Sequence, residues 1–141
     1  GSVFRTADAF LAQHVYLCGI TATPPHRDIQ KTALGATETV PWSYREDTVA
    51  LVQDLKSKGV LVWAVEQAEH AVFLNQYQGD WTVPQAFIFG NEVKGVDQAV
   101  IDLCHGVVEI PQDGAKHSLN IAVSAGVVLW EAFRQYKSAK K

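Results

Sequence analysis

Two polar loops in this 141-residue chain carry residue types that could do chemistry. The first is Gly90-Asn91-Glu92-Val93-Lys94-Gly95, which follows an apolar run over residues 86–89 and precedes a helical pattern. Glycines at a strand-to-helix turn let backbone N–H groups approach a phosphate or nucleotide closely. The spacing is not that of a phosphate loop, because Val96-Asp97 stand where Lys-Ser/Thr is needed. It is not a dinucleotide fingerprint either, since only one of the three glycine spacings is met. Two glycines at such a turn are also common in any α/β fold with no ligand at all.

The second loop runs from Ile110-Pro111 through residues 112–117 to Ser118-Leu119-Asn120. A Ser or Asn before an apolar helix is expected as an N-cap. One cap is enough, yet His117, Ser118 and Asn120 crowd a single helix start, which points to a site. Arg5, near the other end of the chain, is by itself an ordinary solvated charge.

The elements that must position these loops follow from periodicity. Helical spacing is expected over residues 3–12, 28–34, 44–58, 71–77, 96–104 and 118–137, the last being the longest. Short apolar strands are expected over residues 14–19, 38–42, 60–65, 86–89 and 107–110. Gly35 and Gly59 fall where helices end. Strands and helices alternate, and most strands are apolar without period-two polarity. That predicts an α/β fold with a mostly parallel sheet and helices on both faces. Ligands of such sheets lie beyond the carboxyl ends of the strands, so the loops after Val65, Phe89 and Ile110 are the places to look. The helix over residues 121–133 is apolar nearly all round, which predicts burial on all sides, one of them against another subunit.

Composition narrows the class. Hydrophobic residues make up 48% and charged residues 19%, which suits one globular domain and excludes disorder. No apolar run is long enough to span a membrane, and no secretory signal pattern opens the chain. Cys18 and Cys104 each sit in an apolar run and read as free thiols of a reducing cytoplasm. Met is absent and the chain opens Gly1-Ser2, so residues upstream of Gly1, or a tag scar, are expected. The net charge of −3 gives no global basic footprint, so any nucleic-acid contact must come from local patches or from parts of the protein outside this sequence. His14, His70 and His105 lack partners at metal-ligand spacing, and no metal is expected.

Three segments taken together resemble the SpoU/TrmH family of RNA methyltransferases, part of the SPOUT class. Gly1 to Phe10 resemble the family's first motif, Asn-x-Gly-Ser/Asn-x-x-Arg-Thr/Ser-Ala-x-Ala-Phe, whose leading Asn would precede Gly1. Phe87 to Gly95 resemble the second, a strand followed by Gly-Asn/Pro-Glu-x-x-Gly. Ile110 to Glu131 resemble the third, Ile-Pro-Met-x-Gly-x-x-x-Ser-Leu-Asn-Val with small residues and a late Glu, with Gln112 in place of the usual Met. Lys31-Thr32-Ala33-Leu34-Gly35-Ala36-Thr37 resemble a further family segment. The motifs follow one another in the family's order over nearly the whole chain, which implies a single SPOUT catalytic domain over residues 1–141.

The resemblance implies a C-terminal deep trefoil knot, a rarity among folds. It implies S-adenosylmethionine as methyl donor, leaving as S-adenosylhomocysteine, held by backbone groups of Gly90, Ile110 and Leu119. Val65, Glu66 and Gln67 would line the donor, and Phe89, Asn91, Gly95 and Ser118 would complete that site. The acceptor would be a ribose 2′-OH of tRNA or rRNA, and the partner, besides RNA, a second copy of the chain. The motif-one Arg, here Arg5, would stand at the reacting hydroxyl. A guanidinium stays protonated, so it is a poor general base. Binding the RNA phosphate and stabilising the developing alkoxide suits it better. Ser118 and Asn120 would orient Arg5 or the ribose, and Glu92 would fix Arg5 or its own loop. Arg27 and Lys31 are equally well read as RNA-phosphate contacts or as a solvated helix face. Lys94, Lys116 and His117, beside the expected pocket, are better RNA candidates, whereas Lys137, Lys140 and Lys141 read as a solubilising tail. The competing readings are a non-catalytic RNA-binding module that keeps the fold and an unrelated small-molecule binder on an open sheet.

Overall fold

The computed structural model describes residues 2–10, 12–18, 40–91, 94–114 and 119–140. The expected helix over 28–34 and the segment 31–37 lie outside them, as do Arg27, Lys31, Glu92, Lys116, His117 and Ser118.

The chain forms two compact units, residues 1–48 and 49–141. In the first, helix α1 (Ser2–Ala9) is followed by parallel strands β1 (Val15–Cys18) and β2 (Trp42–Arg45). Phe4 and Ala7, three apart on one side of α1, are buried with Val40 against Val15, Leu17 and Trp42. That packing turns Arg5 outward, and it is exposed. His14 Nε2 and Ser43 Oγ share a hydrogen bond of 2.9 Å across the strand pair.

In the second unit, helix α2 (Thr48–Ser57) leads into β3 (Leu61–Val65). Then come β4 (Val72–Phe73), a 3₁₀ turn (Leu74–Gln76), β5 (Gln85–Phe89), the short helix α3 (Gln98–Ile101), β6 (Gly106–Glu109) and helix α4 (Ile121–Ala139). The four strands form one parallel sheet in the order β4-β6-β3-β5. Alternate residues of β3 explain its unbroken apolar sequence. Val62 and Ala64 pack under α2 and α3 with Val52, Val96 and Val100. Trp63 and Val65 pack on the other face with Leu74, Tyr77, Val108 and Val128 of α4. A strand covered on both faces has no position for a polar residue. The α/β class, the parallel sheet and the helices on both faces are therefore as the sequence implies.

Several boundaries differ, each for a physical reason. Residues 71–77 are not a helix. Val72 and Phe73 pair with Val108 and Glu109 of β6, a long-range partner that local spacing does not reveal. The helix expected over 96–104 is a single turn, because the chain swings back so that His105 N–H donates to Val62 O at 2.7 Å. Helix α4 starts at Ile121 rather than Ser118, and its N-cap is Asn120, whose side chain accepts from Ala122 N–H at 2.8 Å. Within this one chain, α4 leaves one stripe uncovered. Val123, Val127 and Trp130 are exposed, Val123 and Trp130 each by 51%. Cys18 and Cys104 are free thiols but only half-buried. Burial pushes the Cys104 thiol pKa up, which favours its inert protonated form.

Tyr77 makes the core pH-sensitive at the alkaline end. It is 3% exposed, and its hydroxyl donates to Gln85 Oε1 at 3.0 Å. Burial holds its pKa well above the ordinary tyrosine value. A folded pKa raised above the unfolded one gives stability that is full below about pH 10 and lost as pH rises further, by up to about 1.4 kcal/mol per pH unit. Tyr77→Phe is expected to flatten that loss in thermal melts between pH 9 and 11. Equal alkaline slopes for the two proteins would rule the assignment out.

Candidate functional site

The parallel register brings three strand ends together. Val65, last in β3, pairs with Phe89, last in β5, and with Val108 of β6. The loops that begin at Glu66, Gly90 and Ile110 therefore leave one edge of the sheet side by side. Glu66 N–H still donates to Val108 O at 3.1 Å, after which the chains separate. Beyond such ends, main-chain amides and carbonyls no longer have strand partners and are available to a ligand. Val65, Phe89 and Ile110 are only partly buried and add an apolar wall beside them.

The Gly90–Gly95 loop is a closed turn. Gly95 N–H donates to Asn91 O at 2.9 Å, and Lys94 N–H to Asn91 Oδ1 at 2.7 Å. The Asn91 side chain thus builds the turn, as Asn does when it mimics a backbone turn. Gly95 has φ +69°, a left-handed conformation that glycine adopts freely. Gly90 is required for a different reason. A Cβ on it would overlap the backbone of Gly95 and Val96. The loop is packed backbone on backbone, and a Cβ on Gly95 would strike the Glu66 carboxylate.

That carboxylate is tied into the chain itself. Glu66 Oε2 accepts from Val96 N–H at 2.9 Å, and Oε1 accepts from Gln67 N–H at 3.3 Å. The resemblance implies Glu66 in the lining of the donor, and the sequence gives no sign of the bond to Val96, thirty residues on. Gln67 and Lys94 are exposed, Leu119 is half-buried and Asn120 is exposed at the head of α4. The site residues Val65, Glu66, Gln67, Phe89, Gly90, Asn91, Lys94, Gly95 and Ile110 come together at these strand ends. Arg5 stands in the other unit. Glu92, Ser118, Arg27, Lys31, Lys116 and His117 fall outside the described residues.

A second polar cluster fixes the far half of α4. Gln135 Oε1 accepts from Gly79 N–H at 3.0 Å and from Trp81 Nε1–H at 3.3 Å. Gln135 Nε2 donates to Tyr77 O at 2.8 Å and to Glu131 Oε2 at 2.7 Å. Arg134 grips the same Glu131 through both carboxylate oxygens, and those bonds hold the Glu131 carboxyl below its usual pKa. These bonds tie the late Glu of the third motif to Arg134 and Gln135 of the same helix. An open concavity of about 390 Å³ lined by Lys56, Val60, Leu61, Cys104 and His105 lies at the amino end of β3, away from the loops.

Comparison with known proteins agrees with this geometry. The family model described as the SpoU rRNA Methylase family matches residues 1–130. A 23S rRNA (guanosine-2'-O-)-methyltransferase, RlmB, of Ralstonia nicotianae is 33% identical over 135 residues, covering 96% of this chain and 53% of that protein. The chain spans about half the length of the curated relatives it matches. Among solved structures, the TrmH/SpoU tRNA modifying enzyme of A. aeolicus superposes with TM-score 0.86 at 25% identity, over 99% of this chain and 69% of that one. The SpoU methyltransferase AviRb from Streptomyces viridochromogenes, in complex with AdoMet, superposes with TM-score 0.85 at 26% identity, over 97% of this chain and 52% of that one. The match runs from motif one through motif three, and the chain belongs to the SpoU rRNA methylase family.

Proposed function

We propose that this chain is the catalytic domain of an S-adenosylmethionine-dependent RNA methyltransferase that modifies a ribose 2′-OH of tRNA or rRNA in the cytoplasm. The observation that carries the reading is the shared sheet edge from which the loops beginning at Glu66, Gly90 and Ile110 emerge, within a chain that matches the family from residue 1 to residue 130. That match crosses both compact units, which supports one functional domain. The likeness to A. aeolicus TrmH/SpoU over 99% of the chain supports the family's knotted path for the C-terminal segment.

The residues present fit a nucleoside-like donor. Gly90 has no room for a side chain against the Gly95–Val96 backbone, and its own main-chain groups can pair with a purine or ribose edge. Bound S-adenosylmethionine supplies a methyl group on a positive sulfonium. Gly90, Ile110 and Leu119 hold it by main-chain groups, while Val65 and Phe89 exclude water from its base. Arg5 binds the phosphate beside the acceptor ribose and stabilises the charge that grows on the 2′-oxygen. The ribose proton passes to another group, since Arg5 only donates. Capping narrows the role of Asn120. Its Oδ1 already accepts from Ala122 N–H, while Nδ2, a donor, remains for the ribose. Lys94 and the basic residues Arg27, Lys31, Lys116 and His117 bear on RNA phosphates in the same reading. Two measurements test it. Calorimetry with S-adenosylhomocysteine should give a binding isotherm, and labelled S-adenosylmethionine with unmodified tRNA and rRNA should give 2′-O-methyl nucleosides. Absence of both signals would end the proposal.

A second copy of the chain is the other proposed partner. Val123, Val127 and Trp130 lie on one stripe of α4 and are exposed, although such residues are usually covered. Trp130→Glu should convert a dimer to a monomer in light scattering. A monomeric parent chain, or a Trp130→Glu variant that stays dimeric, would contradict this.

A further inference from the structure

We propose that Glu66 is a positioning residue: its carboxylate latches the Gly90–Val96 loop to the end of β3 and so shapes the main-chain cradle. The inference rests on the donor site proposed above. Glu66 stands one residue beyond β3 and is half-buried. Its Oε2 accepts from Val96 N–H at 2.9 Å. The same oxygen lies against Gly95, where even a Cβ would collide with it. Two glycine requirements thus converge on one place. Gly95 leaves room for the carboxylate, and Gly90 leaves room for the Gly95–Val96 backbone.

The latch closes the loop at its far end. Within the loop, Asn91 already ties residues 91–95 into a turn. The buried Val96 side chain anchors the far end of the loop in the core, and the bond from Glu66 adds a directional polar tie at the same residue, just before Asp97 leads into α3. A carboxylate–amide bond is charge-assisted and stronger than a neutral one. Both oxygens accept from the chain's own amides, at Val96 and Gln67, so Glu66 acts on the donor through the loop.

Glu66→Ala and Glu66→Gln separate the two roles. Glu66→Ala should weaken S-adenosylhomocysteine binding roughly tenfold to a hundredfold. It should also speed amide hydrogen exchange in a peptide covering residues 90–97. Glu66→Gln keeps a carbonyl that accepts from Val96 N–H, so it should restore slow exchange and most of the affinity. In methyl transfer, KM for the donor should rise in Glu66→Ala more than kcat falls. Two results would overturn the latch. One is Glu66→Ala with parental exchange. The other is Glu66→Gln with parental exchange but donor affinity as poor as Glu66→Ala, which would mean that the ligand feels the charge directly. The exchange comparison does not use the donor, so it stands even if the parent chain fails to bind S-adenosylhomocysteine and the methyltransferase reading falls.

Discussion

Arg5→Ala should lose roughly 10²- to 10³-fold in kcat for RNA methylation, the usual cost of removing one donor that meets developing charge. Binding of S-adenosylhomocysteine should be unchanged, because the residues assigned to the donor lie at the strand ends of β3, β5 and β6. The fold should also survive. Phe4 and Ala7 make the buried side of α1, and Arg5 is on its exposed side, so the substitution opens no cavity and leaves good helix-forming sequence. Arg5→Lys should recover only part of the loss, since an ammonium cannot reproduce a bidentate grip on phosphate. The decisive measurement is single-turnover methyl transfer with donor and RNA both saturating. A near-parental rate for Arg5→Ala would remove Arg5 from the reaction and assign the stabilisation of the 2′-oxygen to another group.

Gly90→Ala is the companion experiment on the donor side. The added methyl would overlap the backbone of Gly95 and Val96, and backbone cannot rotate away as a flexible side chain can. Overpacking of this kind typically costs about 1–3 kcal/mol. The loop relieves it by opening, which should separate Glu66 from Val96 and weaken donor binding by at least about tenfold. Calorimetry on Gly90→Ala and on the parent chain should therefore diverge sharply. Equal affinities would show that the donor does not depend on the closed turn.

What the sequence made legible was whatever depends on near neighbours or on a repeated chemical pattern. The apolar run over 60–65 announces a strand covered twice, and Leu61–Val65 is that strand. The Gly90–Gly95 loop shows itself through its glycines, and the structure gives each a separate steric reason. Long-range partners were not legible. Val72 and Phe73 become a strand because β6 lies beside them, although their own spacing reads as helix. Glu66 meets Val96 across thirty residues. Ser118 and Asn120 both look like caps, and the choice of Asn120 is settled by where α4 begins. The polarity of α4 was legible only in part, since an all-round apolar sequence does not say which stripe this chain covers and which it leaves exposed.

That exposed stripe has a consequence for dilute solutions. Asn120 caps α4, and Val123 begins the outward-facing row only three residues later. If two chains associate through that row, the donor pocket and the subunit contact share one helical turn. Where the donor binds the associated form more tightly, association and donor uptake are linked, and each strengthens the other by the same factor. Donor affinity should fall as the chain is diluted through its dimer–monomer transition, and added donor should push that transition to lower protein concentration. A titration at nanomolar chain would then report a weaker site than one at micromolar chain, with no change in any residue that touches the donor.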